Sequence, residues 1–302
     1  MDRRKKVGVA VITYQSKHHL KRCLTPLLNS TLNPYVLVVD ASSTDGTVEE
    51  AKRLGADVLS VPYNSYNHGT TRELARKALG SEIVIMMTPD AYLKDERTLS
   101  HLIAPIEDRR AVLSYGRQLP HKGANYFESF ARYFNYPHQS SIRSLEDQDK
   151  YGSFLYFFSD SFGAYLNCAL DEIGGFSPVL LGEDTIACAK LLKKGYSVAY
   201  VSESEVYHSH SYSLKQEFQR HFDTGMMRSD FKELLNQKRD QNRGILYAKK
   251  LFQEVKRGLI LYAFFHIIAK WLGYKLGGLA KNWPLFIKRR FSSQKFYWKN
   301  SH

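Results

Sequence analysis

Short apolar runs alternate with segments of helical periodicity from Val7 to Met87, and this alternation restricts the fold more than any other feature. The run Val7–Thr13 is continuously apolar and β-branched, which is typical of a parallel strand buried on both faces. The pattern predicts an α/β fold with a doubly wound sheet, whose Rossmann-like half binds ligands at the carboxyl ends of its strands. Further strands are predicted at residues 36–39, 58–61 and 83–87, with helices at 20–28, 47–54 and 70–79.

The pattern changes after residue 213, beyond which only helical periodicity remains. The sequence therefore predicts an α/β region, residues 1–213, and a helical C-terminal region, residues 214–302. The longest apolar stretch, residues 258–269, has about a dozen residues, whereas a membrane-spanning helix needs roughly 20, so no span is expected. Helix breaks are predicted in the C-terminal region at Gly244, Gly277-Gly278 and Pro284.

The formal net charge of +13 favours a polyanion, such as a nucleotide diphosphate, an anionic membrane surface or a nucleic acid. Basic residues crowd positions 232–299 among aromatic ones, so the C-terminal region is predicted to be basic and amphipathic. Its apolar side either makes a peripheral contact with the inner face of the cytoplasmic membrane, or packs on the α/β region or on a second protomer of a homo-oligomer. Three cysteines without paired spacing, and no signal-peptide pattern, predict a cytoplasmic protein.

Polar residues follow the second predicted strand in the segment VVDASSTDGT, residues 38–47. Asp40 at the strand tip can accept a hydrogen bond from a pyrimidine N3–H, and the groups of the turn, Ser42 among them, can hold a ribose. Thr13, which ends the first strand, is placed with them as a nucleotide-sugar contact. The alternative is that residues up to Asp45 only cap the following helix, a position that such side chains favour.

Asp90 follows the strand predicted at residues 83–87 and is a candidate ligand of a divalent cation. A hard cation that bridges two phosphates prefers carboxylate oxygen, which a strand-end aspartate supplies rigidly. His208 and His210 are two residues apart on an extended segment and point the same way, so one or both can face a site. Strand-end aspartates and histidine pairs are also common as structural residues, so spacing alone leaves both interpretations open.

Two further segments place charged or polar residues at helix N-termini. Glu183 and Asp184 begin a predicted helix, where an acidic pair is electrostatically favoured in any case. The segment NHGTTR begins with Asn67 and Gly69 and enters a helix whose first amides, with Arg72, can meet an anion. This predicts an anion-binding turn.

The opening VAVITY, together with VVDASSTDGT, resembles the start of the family 2 glycosyltransferases, which have the GT-A fold with a mixed sheet. By motif the resemblance covers about residues 7–213, and it implies that residues 1–213 are the catalytic domain. It implies contact of Asp40 with the nucleobase and places Asp45 near the nucleoside. The chain departs from the family at the DxD motif, which is Thr-Pro-Asp here, so that Thr88 replaces the first acid.

The same resemblance assigns the metal and the catalytic base. In the family, the last aspartate of DxD and a later histidine hold Mg2+ or Mn2+, which implies this role for Asp90 with His208, and with His210 as second choice. An acidic pair carries the catalytic base, which implies Asp184 as the base and Glu183 as its supporting acid. Transfer in this family inverts the anomeric configuration of the sugar.

Three strings resemble the subset of the family that transfers rhamnose: NHGTTR, SFGAY and YHSHSYS. They imply dTDP-L-rhamnose as the donor. The acceptor implied is a hydroxyl of a growing, lipid-linked cell-surface polysaccharide such as an O-antigen. A UDP-hexose donor is the alternative within the family.

Two interpretations outside the family predict other features. A nucleotidyltransferase should have a glycine-rich, basic loop directly after the first strand, where this chain has the sequence TYQSK. A non-catalytic nucleotide-binding or nucleic-acid-binding protein should show an RNA-binding or zinc pattern, whereas the basic residues here lie in an apolar tail. Nucleic acid is therefore not expected as a partner.

Overall fold

The structure is a computed structural model that describes residues 5–235 and 241–299. Residues 1–4, 236–240 and 300–302 of the two predicted regions lie outside the described residues. A nine-stranded sheet has the strand order β3-β2-β1-β4-β8-β6-β9-β5, with β7 paired to β9. The strands are β1 (Val7–Thr13), β2 (Tyr35–Asp40), β3 (Asp57–Ser60), β4 (Ile83–Met87), β5 (Tyr92–Leu93), β6 (Leu113–Leu119), β7 (Ser141–Arg143), β8 (Phe162–Leu166) and β9 (Val198–Tyr207).

The sheet is parallel from β3 to β4 and mixed beyond it, because β8 pairs antiparallel with both β4 and β6. Alternate residues of β1 enter two different cores: Val9 and Val11 pack on one face, and Ala10 and Ile12 pack on the other. All four are buried, as the continuous apolar run predicts for a strand covered on both faces. The predicted α/β class with a doubly wound half is therefore confirmed.

Helices cover both faces of the sheet and form the C-terminal region. They are α1 (Lys17–Leu28), α2 (Thr47–Leu54), α3 (His68–Leu79), α4 (Thr98–Glu107), α5 (Tyr126–Asn135), α6 (Gln148–Tyr151), α7 (Asn167–Asp171), α8 (Glu183–Lys193), α9 (Leu214–Asp230), α10 (Gln241–Glu254), α11 (Ile260–Leu279) and α12 (Leu285–Phe291). The positions of α2 and of strands β1 and β4 agree with the sequence prediction to the residue.

Two of the predicted helix breaks are wrong. Gly244 lies inside α10, and α11 continues through Gly277 and Gly278 before it ends at Leu279. The glycine at 277 is needed for packing, since a Cβ atom there would lie 1.9 Å from the backbone oxygen of Phe222 in α9. Pro284 does interrupt the helical region, because it directly precedes α12.

The apolar helix α11 is longer than the run at residues 258–269 suggested. With its flanking turns it covers Arg257–Asn282, 26 residues that contain an 18-residue window of mean hydropathy 1.3, of which 17% is buried. By length and composition alone this described segment is able to cross a membrane. In the fold, one side of α11 packs on α9, where Lys270 lies 3.4 Å from the buried carboxylate of Glu217, and much of the other side is exposed.

Candidate active site

A cleft of about 690 Å³ opens at the carboxyl ends of β1 and β4, a volume that suits a small-molecule ligand. Its walls also include the loop before β8, the start of α8, the segment after β9 and the helix α9. The lining residues include Thr13, Tyr66, His68, Arg72, Asp90, Gln118, Arg132, Asp160, Glu183, Asp184, His208, His210 and Arg220.

Asp40 lies beneath the cleft rather than in its wall. Its carboxylate is fully buried and accepts hydrogen bonds from the Thr13 hydroxyl at 2.9 Å, and from the backbone N–H and hydroxyl of Ser43 at 2.8 Å and 2.6 Å. Thr13 itself lines the cleft. Asp40 therefore supports the Thr13 strand end and the turn that follows β2.

Ser42 and Asp45 lie in that turn and do not belong to the cleft wall. Ser42 adopts the left-handed backbone conformation, with φ of 60°, and its hydroxyl donates to the Val61 oxygen at 3.0 Å. Asp45 accepts hydrogen bonds from the backbone N–H groups of Lys17 and Thr47, each at 3.1 Å. These contacts correspond to the capping alternative and join the first turns of α1 and α2.

Asn67 and Gly69 fix the N-terminus of α3, where Asn67 is the capping residue. The Asn67 side chain accepts hydrogen bonds from the N–H groups of Gly69 and Thr70, at 2.9 Å and 3.2 Å, and donates to the Val179 oxygen at 2.9 Å. A Cβ atom on Gly69 would lie 1.8 Å from the Ser177 oxygen, so only glycine fits. The structure brings Arg72, but neither of these two residues, into the cleft wall.

Arg72 is the centre of a cluster of three carboxyl groups, of which Asp160 and Glu183 are buried and Asp184 is half-buried at the cleft wall. Its Nη1 lies 2.7 Å from Glu183 Oε1, and its Nε lies 3.0 Å from Asp160 Oδ2 as an ion pair without hydrogen-bond geometry. Asp184 Oδ2 accepts from the backbone N–H of Asp160 at 3.2 Å, and its other oxygen accepts from Thr185 N–H at 2.6 Å. The guanidinium is thus neutralised by the chain itself.

The three carboxyl groups differ in acidity. Burial, with the nearby charge of Glu183, raises the pKa of Asp184 to about 6. Burial raises the pKa of Asp160 well above its usual value, although Arg72 opposes it, and the Tyr165 hydroxyl donates to Asp160 at 2.7 Å. Burial also acts on Glu183, but Arg72, His68 and backbone hydrogen bonds together outweigh it and lower the pKa of that carboxyl. Asp184 lines the cleft, and its pKa of about 6 suits a general base.

Asp90, His208 and His210 form the second cluster, with one potential ligand atom from each within 4.8 Å of the others. Nε2 of each histidine lies 3.5 Å from an Asp90 oxygen. The His208 Nδ1 donates to Gln118 Oε1 at 2.9 Å, which directs Nε2 toward Asp90. Burial lowers the pKa of His208 well below its usual value, so the imidazole is neutral and keeps a lone pair for a metal. One carboxylate and two neutral imidazoles fit a divalent cation.

The residues of the site that sequence reasoning missed include Asp160 and Gln118. Asp160 directly precedes the SFGAY string at residues 161–165. The family resemblance of that string could have identified Asp160 as a candidate site residue. Gln118 is in β6, and only the pairing of β6 with β9 brings it beside His208. No local pattern marks such a contact.

Comparison with known proteins supports the assignment of a family. The family model described as Glycosyl transferase family 2 matches residues 8–174. The O-antigen chain rhamnosyltransferase RfbN of Salmonella typhimurium is 35% identical over 306 residues, which cover 98% of this chain and 96% of that protein. The O-antigen chain rhamnosyltransferase WbaN of Salmonella anatum is 34% identical over 274 residues, covering 88% and 86%.

Solved structures share the fold at low sequence identity. The mannosyltransferase PcManGT from Pyrobaculum calidifontis, in complex with GDP-Man and Mn2+, aligns with a TM-score of 0.63 at 15% identity, over 93% of this chain and 88% of that one. S. aureus TarS 1-349 aligns with a TM-score of 0.55 at 19% identity, over 98% and 90%. The GT-A fold predicted from the motifs is confirmed, and the chain belongs to glycosyltransferase family 2.

Proposed function

We propose that this glycosyltransferase moves L-rhamnose from dTDP-L-rhamnose to a hydroxyl of a growing, lipid-linked O-antigen-type polysaccharide, with inversion at the anomeric carbon. The observation that carries the proposal is one cleft that combines a carboxyl group of pKa about 6, Asp184, with the Asp90, His208 and His210 cluster. Similarity over almost the full length to two O-antigen chain rhamnosyltransferases supports the sugar and the acceptor class.

Each cluster has its own part in the reaction. Asp90, His208 and His210 would hold Mg2+ or Mn2+, which when bound supplies positive charge to the leaving diphosphate. Asp184 accepts the proton of the acceptor hydroxyl as that oxygen attacks the anomeric carbon. Glu183 remains ionised against Arg72 and keeps the proton affinity of Asp184 high. Attack opposite the diphosphate inverts the configuration.

In this proposal the nucleoside lies at the carboxyl end of β1, where Thr13 lines the cleft and Asp40 lies beneath it. Their hydrogen bond at 2.9 Å fixes the Thr13 hydroxyl at the cleft wall, where it meets the base or ribose. The other predicted contacts act indirectly: Ser42 and Asp45 shape the turn beneath the nucleoside, and Asn67 with Gly69 fixes the start of α3, the helix that carries Arg72. Ser42, Asp45, Asn67 and Gly69 are therefore positioning residues in this proposal.

The enzyme works as a cytoplasmic, peripheral protein at the inner face of the membrane, where a lipid-linked acceptor is found. Support comes from the exposed apolar side chains of α11 and α12 beside the basic run Lys288, Arg289 and Arg290. Such a surface gains from apolar burial in the interface and from anionic lipid. The competing occupant of this surface is a second protomer. The apolar side chains are Leu261, Phe264, Phe265, Trp271, Leu279 and Phe286.

A donor panel tests the function. The purified protein is incubated with dTDP-rhamnose, UDP-glucose, UDP-galactose or GDP-mannose, with Mg2+ or Mn2+ and with or without EDTA, and released nucleotide is measured. We expect release from dTDP-rhamnose that EDTA abolishes. Release only from a UDP-sugar would keep the enzyme and reject rhamnose as the sugar. No release or binding of any donor, together with tight nucleic-acid binding in a salt titration, would reject the catalytic function.

A further inference from the structure

The metal cluster contains a single carboxylate. Thr88 occupies the place where family members carry the first acid of DxD, so Asp90 alone supplies negative charge to the cation. A divalent ion held there retains more positive charge than one held by two carboxylates. The surrounding charges decide how strongly this corner of the cleft attracts a diphosphate.

Arg132 lies beside the metal cluster on the cleft wall, in α5. Its Nη1 donates at 2.7 Å to the same Gln118 oxygen that accepts from His208 Nδ1. Its Nε is buried and has no hydrogen-bond partner, and within residues 5–235 and 241–299 no carboxylate pairs with it. This guanidinium is charged, adjacent to a predicted metal ligand and not neutralised.

Arg220 of α9 lines the cleft and belongs to the helical C-terminal region, whereas Arg132 belongs to the α/β region. Its guanidinium carbon lies 4.6 Å from the centre of the Tyr212 ring, and that ring lies 5.3 Å from the His210 ring. The side chain lines the cleft and forms no ion pair with any residue that the structure describes. Each histidine of the cluster is thus connected to one unpaired arginine.

Arg132 is half-buried and Arg220 is exposed, whereas two buried arginines, Arg72 and Arg117, have carboxylate partners. Arg72 pairs with Asp160 and Glu183, and Arg117 pairs with Glu205 at 2.9 Å. Arginine is suited to phosphate because its planar fork donates parallel hydrogen bonds. Two such groups left without carboxylate partners, in a cleft that already holds cation ligands, indicate an anionic ligand at this point.

We propose that Arg132 and Arg220 form a diphosphate clamp that binds the leaving nucleoside diphosphate beside the cation site and favours the charge that develops there. This inference rests on the proposed function, because the diphosphate is that of the donor. As the bond between the anomeric carbon and the diphosphate oxygen breaks, its electron pair stays on that oxygen, and the clamp stabilises the resulting charge.

Calorimetric binding of dTDP and dTMP, in the presence of Mn2+, tests the clamp without turnover. Arg220→Gln should weaken dTDP binding about 10-fold to 100-fold, the range for hydrogen bonds to a charged group, and should weaken dTMP binding much less. Arg220→Lys should fall between Arg220→Gln and the wild type. Lys215→Gln, which removes an exposed charge from α9 outside the cleft, is the matched control and should bind both nucleotides normally.

Arg132→Gln and Arg132→Lys provide a second pair, measured in the same way. Equal losses of dTDP and dTMP affinity, or unchanged dTDP affinity in both Gln variants, would overturn the clamp while leaving the enzyme intact. If the wild type prefers UDP, the same comparison with UDP and UMP tests the clamp. That preference would reject dTDP-rhamnose as the donor but not the clamp. A wild-type protein that binds no nucleoside diphosphate would overturn both the clamp and the proposed function.

Discussion

Glu183 and Asp184 are adjacent in the chain, yet their surroundings give them different protonation behaviour. Glu183 receives an Arg72 guanidinium at 2.7 Å, whereas the hydrogen-bond donors to Asp184 are backbone N–H groups of Asp160 and Thr185. Burial disfavours the charged form of both, but only Glu183 has a direct cationic partner. The sequence motif identified the pair. The three-dimensional contacts then show which member stays ionised, Glu183, and which can act as a base, Asp184.

The pH dependence of turnover follows from this difference. The pKa of Asp184 is raised to about 6, so the base is protonated and inactive below that pH and ionised above it. We expect kcat/KM to rise with pH through about 6 and then to level off. The profile should be measured with saturating metal. A rise centred near pH 4 would contradict the assignment of a buried base.

Gln118 should control metal affinity although it is not a predicted ligand. It accepts from His208 Nδ1 at 2.9 Å and so fixes the nitrogen that faces Asp90. We expect Gln118→Leu to weaken Mn2+ binding about 10-fold to 100-fold, as is usual for residues that orient a metal-binding histidine. Gln219→Leu, on α9 and outside the cleft, is the control. Unchanged Mn2+ affinity in calorimetry of Gln118→Leu would show that the cluster does not bind the metal through His208.

At the scale of elements, the four strands of the parallel half were predictable, and the C-terminal helices were less so. A strand buried on both faces is continuously apolar whatever its neighbours are, which is why β1 and β4 match the prediction. A glycine in a helical pattern either ends the helix or allows a neighbouring helix to pack closely. Gly277 does the second, because the backbone of α9 lies against it. Ser42 and Asn67 fit both capping and ligand binding by type, and only the structure shows their hydrogen bonds to turns.

The contact between α9 and α11 provides a matched pair of variants. A Cβ atom at position 277 would lie 1.9 Å from the Phe222 oxygen, whereas at position 278 the nearest atom is 3.9 Å away. We expect Gly277→Ala to lower the free energy of unfolding by about 1 to 3 kcal/mol through overpacking. Gly278→Ala should be neutral, or stabilising by up to about 1 kcal/mol through helix propensity. Denaturant unfolding of both variants measures the difference, and equal stability would contradict this helix contact.

At the scale of the whole molecule, the cleft belongs to both predicted regions. Arg220 in α9, with Ser293 and Gln294 near the C-terminus, lines the cleft together with residues from the α/β sheet. The segment after α12 also contacts α9, because the backbone N–H of Ser293 donates to Asp223 at 2.8 Å. The division at residue 213 therefore separates two sequence patterns but not two functions, and it did not predict that α9 forms part of the site.

Membrane association is a prediction for the intact protein. Phe286 is 72% exposed in α12, next to the basic run that ends the helix. In vesicle flotation we expect binding to anionic lipid that weakens with salt, and a marked loss of binding in Phe286→Glu. Ile142→Glu, an exposed apolar residue in β7, is the control and should float like the wild type. Failure to float, combined with concentration-dependent dimerisation that Phe286→Glu abolishes, would show that a second protomer covers this surface.

The most direct test of the proposed chemistry is the rate of rhamnosyl transfer by Asp184→Asn, measured with dTDP-rhamnose, metal and a polysaccharide acceptor. Loss of the general base should lower the rate about 100-fold to 10,000-fold, while dTDP affinity stays near that of the wild type. Asp108→Asn, which removes an exposed carboxylate paired with Arg110, should transfer at the wild-type rate. An Asp184→Asn enzyme that turns over as fast as this control would contradict the assignment of Asp184 as the catalytic base.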